Sequence, residues 1–181
     1  MRMYTALLLA LFLLAPCGAD DLYTTAEQAK LPPKIIEQLS QLKPLGITEV
    51  LVPTWFPSDL GLAQGKIDVS DPKSGPKIEI TWPSSRSRLH SLVFRGTGEG
   101  LAGDGPDSTV SVDNPATGPI EMWVCIERPM GFRYGTGHGL TVPRGADKEY
   151  YLDLQTNGNS AAGLTSMEMQ RILGSVRRLK L

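Results

Sequence analysis

The sequence predicts an α+β domain: a single antiparallel sheet of about six to eight strands, with an N-terminal and a C-terminal helix packed on it. Three observations lead there. Short apolar-alternating segments follow one another with turn-length links, the arrangement of antiparallel strands. Helical apolar spacing occurs only near the two ends of the chain. The 19 Gly and 14 Pro fall mostly between segments, as breakers do. Strands and helices do not alternate repeatedly, so a doubly wound parallel sheet is not expected.

The first segment reads as an address. Arg2 precedes an uninterrupted apolar run at residues 6–15, broken by Pro16. The run is too short for a bilayer core, which needs about 20 residues, and it suits the apolar stretch of a secretory signal. Cys17 and Ala19 are small, so cleavage before Asp20 is predicted. The domain reading is then a signal peptide over 1–19, an N-terminal extension over 20–46 with a helix at 33–43, and the α+β domain over 47–181. The expected location is outside the cytoplasm, in the periplasm or at the cell surface, with no transmembrane segment after signal removal. An alternative cut treats Leu14-Ala15-Pro16-Cys17 as a lipobox, with a lipid anchor on Cys17.

The elements follow in order. Pro32-Pro33 opens the first helix, where a missing N–H is no loss. Ile35, Ile36, Leu39 and Leu42 form its apolar face, and Pro44 and Gly46 stop it. Strands are predicted at 49–52, 66–70, 77–82, 89–95, 109–112, 120–127, 140–142 and 148–155. Pro53-Thr54-Trp55-Phe56-Pro57 is a stiff aromatic turn, and Asp71 to Pro76 and Asn114 to Gly118 carry turn chemistry. In the longest strand Ile120, Met122, Val124 and Ile126 point one way, and Glu121, Trp123, Cys125 and Glu127 the other. Thr165 and Glu168 announce a capped final helix. Met169, Ile172, Leu173 and Val176 are its buried stripe, and Arg177, Arg178 and Lys180 are read as cations at its C-terminal end.

Composition removes several classes of function. Eighteen Lys+Arg against 19 Asp+Glu, a net charge of -1, lack the concentrated basic surface of nucleic-acid binders. Two Cys make neither a disulfide scaffold nor a four-Cys zinc site, and signal cleavage leaves Cys125 alone.

The remaining motifs carry chemistry weakly. Gly98-Glu99-Gly100-Leu101-Ala102-Gly103 has the spacing of a dinucleotide loop, but Asp104, Gly105, Pro106, Asp107 and an alternating segment follow instead of a helix. A turned loop is the expected reading. Glu99, Asp104, Asp107 and Asp113 supply calcium-type oxygens without the spacing of a calcium loop. Cys125 with His90 or His138 makes a nucleophile and base on paper, yet Cys125 lies mid-strand, where a buried small residue is usual. The same three could offer zinc ligands, with no supporting spacing. Gly135-Thr136-Gly137-His138-Gly139 is read as a flexible turn. Arg86, Arg88 and His90 alternate as an anion-binding or solvated strand edge. Trp55, Phe56, Trp82, Trp123, Phe132, Tyr134, Tyr150 and Tyr151 are core aromatics or the lining of an apolar pocket.

Three segments together resemble an uncharacterised family of exported bacterial domains, found alone, as lipoproteins, or behind the membrane segment of anti-sigma-factor-like proteins. They are the opener Leu51-Val52-Pro53-Thr54-Trp55-Phe56-Pro57, the loop through Gly103, Gly105 and Pro106, and the close Leu164-Thr165-Ser166-Met167-Glu168 through Ile172, Gly174, Ser175 and Val176. The resemblance spans about residues 47 to 178. It departs at Gly174, where Ala is usual, and in the extra leading helix. It implies an antiparallel sheet with a helix on it, and no catalytic, cofactor or metal residues. The functional expectation is an envelope protein acting without enzymatic chemistry, by binding an unidentified protein or envelope ligand or as a structural accessory. The alternatives are a carrier of a hydrophobic ligand and a small hydrolase or transferase using Cys125.

Overall fold

The computed structural model describes residues 22–68, 77–85, 88–95, 105–127, 131–138, 140–141, 150–157 and 163–181. The predicted signal segment 1–19 and the predicted glycine loop from 96 to 104 lie outside them. Among the described residues no helix is long and apolar enough to cross a membrane.

The elements are β1 (Tyr23–Thr24), α1 (Pro33–Ser40), β2 (Glu49–Val52), β3 (Gln64–Asp68), β4 (Lys77–Pro83), β5 (Arg88–Arg95), β6 (Ser108–Val112), β7 (Ile120–Glu127), β8 (Gly131–Thr136), β9 (Leu140–Thr141), β10 (Tyr150–Asn157), α2 (Ser166–Gly174) and β11 (Arg177–Lys180). Among the described residues the protein is therefore mostly β, with two short α-helices.

The expected single sheet is corrected. The chain ends form a sheet of their own, with β11 parallel to β1 on one side and antiparallel to β2 on the other. The remaining strands run in the order β3-β4-β5-β10-β8-β7-β6, with β9 also on β10. This array is itself divided. β10 meets β8 at one described pair, Gln155 with Gly135. Around that seam hydroxyls stand in for the ladder: Tyr134 N–H donates to Thr156 Oγ1 at 2.9 Å, and Leu154 N–H to Thr136 Oγ1 at 3.3 Å. Both threonines are buried, so each seals polar backbone that a continuous ladder would have paired.

Two further expectations change. The final helix stops at Gly174, and Arg177 to Lys180 is a strand whose Leu179 is buried. Cations that suit a helix C-terminus also suit a strand rim, and here Arg178 sits 3.5 Å from Glu49 of its neighbour β2. The first helix ends at Ser40, with a separate 3-10 turn at Lys43–Leu45 closed by Gly46 in the left-handed conformation (φ 79°). β1, β8 and β11 have no counterpart among the predicted strands. β8 carries Gly131 and Gly135, and β1 has two residues, so neither presents an alternating apolar run.

One apolar cluster binds the layers. Ile35, Leu39 and Leu42 from the α1 region join Val50, Leu51 and Val52 of β2, Ile78, Ile80 and Trp82 of β4, and Met169, Ile172 and Leu173 of α2. Residues from Ala29 to Leu42 thus share the core of the main domain. Along β7 burial is graded: Ile120 and Met122 are buried, Val124 is half-buried and Ile126 is exposed. Length explains the gradient. α2 has nine residues, about 13.5 Å at 1.5 Å per residue. That covers roughly four residues of a strand rising about 3.4 Å each, leaving the far half of β7 beyond the helix.

Candidate functional site

With Ile120 and Met122 turned to the core, alternation sends Glu121, Trp123 and Cys125 to the outer face of β7. The register sets their neighbours. Trp123 lies between Thr109 of β6 and Gly135 of β8, Glu121 lies opposite Ser111, and Cys125 lies opposite Arg133.

Trp123 is fixed by its surroundings. Its indole Nε1–H donates to Glu121 Oε1 at 2.6 Å. The Gly137 N–H donates to the Glu121 carbonyl at 2.8 Å, which brings Gly137 beneath the indole. A Cβ at Gly137 would collide with Trp123 Nε1 and Cδ1 and with Glu121 Oε1. Glycine is therefore the residue that lets the ring rest across β8. The flexible turn expected at 135–139 is corrected: Gly135 belongs to β8, and Gly135 and Gly137 are both buried.

His138 completes the group. Its Nε2 lies 3.7 Å from Glu121 Oε1, with side-chain exposures of 69% and 44%, so this is a solvated pair. Its ring meets Trp123 edge-on, with centroids 6.2 Å apart at 71°. The result is a half-buried indole bordered by a carboxylate and an imidazole, with the exposed Thr109 and Ser111 along one side. Such a surface can stack on a ring and exchange hydrogen bonds at its border.

The nucleophile reading does not assemble. His138 sits at Glu121, four residues along β7 from Cys125, about 14 Å at the strand rise. His90 is in β5, three strands from β7 through β10 and β8, again about 14 Å away. Cys125 stands as a thiol. Among the described residues no three His, Cys, Asp or Glu side chains gather as metal ligands. Of the calcium candidates, Glu99 and Asp104 lie outside the described residues. Asp107 and Asp113 flank opposite ends of β6, and the Asp107 carboxylate already accepts the Ile126 N–H at 2.6 Å. Of the anion candidates, Arg86 is outside the described residues, and Arg88 and His90 fall in β5 opposite Pro83 and Thr81.

The aromatics whose side chains are described do not line one pocket. Trp82 is buried, packs against Phe56 with ring centroids 5.5 Å apart and donates to the Ala29 carbonyl at 3.0 Å. Trp55 lies under the Arg171 guanidinium, 4.1 Å from its ring centroid. Phe132 and Tyr134 stack at 6.2 Å on β8, and Trp123 faces outward. Tyr150 and Tyr151 open β10.

Sequence reasoning placed Glu121 and Trp123 on one face. It missed His138 and Gly137 as their partners, because that contact exists only once β7 and β8 pair in this register. It also missed two internal clamps, Asn114 and Ser175. Ser175 Oγ accepts the Thr54 and Trp55 N–H groups at 3.1 and 2.9 Å and donates to the Ile172 carbonyl at 2.7 Å, tying the aromatic turn to the end of α2.

No family model matches this chain, and neither the curated proteins nor the solved structures include a match to it.

Proposed function

We propose that this chain is an exported envelope domain that acts by binding, and that the Trp123 face receives its ligand. The single observation carrying this is the indole held over Gly137 by the Glu121 carboxylate, with His138 at its edge. Burying an indole in the core needs none of this; holding one half-exposed between polar groups gives an oriented stacking surface. A ring with apolar faces and hydroxyl donors at its edge suits it, which is the chemistry of a neutral saccharide. Export is supported by the apolar run at 6–15 and the small residues before Asp20. It is consistent with the exported family that the sequence resembles, which offers no catalytic residues to carry over.

Calorimetric titration of the mature chain with a panel of neutral oligosaccharides tests the reading. Trp123→Ala is expected to weaken binding at least fivefold, since aromatic stacking contributes about 1 kcal/mol. Glu121→Gln should weaken it less, keeping an acceptor at the same place. Equal binding by wild type and Trp123→Ala, or no saccharide bound, would refute the site. Mass spectrometry of the N-terminus tests export: a chain beginning at Asp20 supports it, and the full 181-residue chain in the cytosol contradicts it.

A further inference from the structure

Among the described residues the larger strand array ends at β3 on one side and β6 on the other. The two edges are built differently. β3 contains Lys66 and Asp68, and α1 lies against it. Charge within the strand and a covering helix are both ways of blunting an edge. β6 reads Ser108-Thr109-Val110-Ser111-Val112, with no charge and no proline. It pairs with β7 along all five residues, from Ser108 opposite Val124 to Val112 opposite Ile120. Val112 is buried and Val110 half-buried, so one face of the strand rests on the core, while Ser108, Thr109 and Ser111 are exposed. In such a strand the backbone groups not bonded to β7 face outward, a template for another strand.

Charge selects what can use it. Asp107 and Asp113 bracket β6, and both are exposed. Asp107 also anchors the strand, through Oδ2 to the Ile126 N–H at 2.6 Å and through its own N–H to the Val124 carbonyl at 3.0 Å. A second copy adding antiparallel about Val110 would set Asp107 against Asp113 at each end, and like charges directly opposite are destabilising. A foreign strand with a cation at each end gains what the second copy loses.

We propose that β6 is a docking edge for an extended segment of another protein, added as an antiparallel strand. The segment carries Lys or Arg six residues apart, opposite Asp107 and Asp113, and apolar residues at alternate positions between them, facing the same side as Val110 and Val112. Recognition through main-chain hydrogen bonds with alternate side chains reading one face is the physics of strand addition. This surface differs from the Trp123 stacking site, since it uses the backbone edge and two carboxylates rather than the indole, and the two share only the border formed by Thr109 and Ser111.

The test uses labelled seven-residue peptides and the mature chain, read by fluorescence anisotropy at low salt. Lys-Val-Thr-Val-Thr-Val-Lys is expected to bind at least tenfold more tightly than the same peptide ended by Glu. Asp113→Lys should bring the two affinities together, with circular dichroism confirming that the variant is folded. Methylating the peptide's backbone nitrogens at odd or at even positions separates strand addition from charge attraction: one set should abolish binding and the other spare it. Equal binding of the Lys-ended and Glu-ended peptides, or indifference to both methylation sets, overturns the proposal. So does a wild-type chain that forms dimers through β6. By contrast, Asp113→Lys is expected to shift the chain toward a dimer in sedimentation, because each Lys would then oppose an Asp107.

Discussion

Asn114 ties a turn to a helix end that lies far from it in sequence. Its Nδ2 donates to the Leu173 and Val176 carbonyls at 2.7 and 3.1 Å, and its Oδ1 accepts from the Ala116 and Thr117 N–H groups at 2.8 and 3.1 Å. The residue is 5% exposed, so these four bonds use the amide's hydrogen-bonding capacity away from water. Asn114→Ala is expected to cost about 2–3 kcal/mol in urea unfolding with an unchanged slope, and about 5–10 °C in Tm. Asn114→Asp should cost more, because it turns an acceptor toward two carbonyls. If Asp were tolerated better than Ala, the clamp would be misassigned. Half of this role was legible: Asn-Pro-Ala-Thr-Gly reads as a turn, and the Oδ1 bonds belong to it. The other half depends on Leu173 and Val176, which no local pattern links to residue 114. Tyr134 gives a second test. Burial pushes its phenol above the ordinary value of 10.0, while its hydrogen bond with the Ser166 backbone pulls the other way. The folded state therefore holds this proton more tightly than the unfolded state. Stability from this group is complete below pH 10 and falls as pH rises above it. Between pH 9 and 11, wild type should lose more stability than Tyr134→Phe; parallel losses would show that Tyr134 does not contribute.

At the scale of elements, local signals were read well where they are self-contained. The capping box of α2 is present as the sequence predicted, with Glu168 N–H donating to Thr165 Oγ1 at 3.2 Å and Thr165 N–H to Glu168 Oε2 at 2.8 Å. The alternation of β4 also holds: Ile78, Ile80 and Trp82 are buried and Glu79 is exposed. What failed was the far end of α2, where apolar spacing continues through Val176 although the helix stops at Gly174. Periodicity alone cannot tell a helix from a helix followed by an alternating strand when one buried residue serves both. Gly174 marks the boundary. A Cβ there would approach the Asp113 carbonyl at 3.5 Å and Val112 Cγ1 at 3.7 Å, ordinary contact distances. Gly174→Ala is therefore expected to stabilise the protein by about 0.5–1 kcal/mol, the helix-propensity difference, read as a higher urea midpoint. A loss of stability would mean that the junction to β11 needs glycine's freedom.

The division into sheets is where sequence reading reaches its limit for the whole molecule. In the middle of the chain β3, β4 and β5, and likewise β6, β7 and β8, pair with sequence neighbours that turn chemistry mostly announces, and β10 joins the two groups through a full ladder to β5 and the seam to β8. The sheet at the chain ends has no such announcement: Tyr23 meets Arg178, and Val50 meets Leu179, across nearly the full sequence. Its centre is β11, the only partner of both β1 and β2 among the described residues. The contacts around it are varied. Leu179 is buried, Lys180 lies over the Tyr23 ring at 4.4 Å, and the Leu181 N–H donates to the Thr48 carbonyl at 2.9 Å. The two edges are unequal. β1 contributes two residues, one of them exposed, whereas β2 contributes Val50, Leu51 and Val52 to the common core. Removing β11 would strand those three buried residues beside an unpaired backbone, and unpaired buried amides are costly. A chain ended after Val176 is therefore expected to lose cooperative unfolding and become sensitive to protease throughout. A chain lacking residues through Thr24 should keep its fold, with a loss of about 1–2 kcal/mol, since it gives up one short edge. Thermal melts by circular dichroism and limited proteolysis of the two truncations separate these outcomes. If the shorter C-terminus folds as well as the shorter N-terminus, β11 is an accessory edge, and the core must be held by the larger array alone.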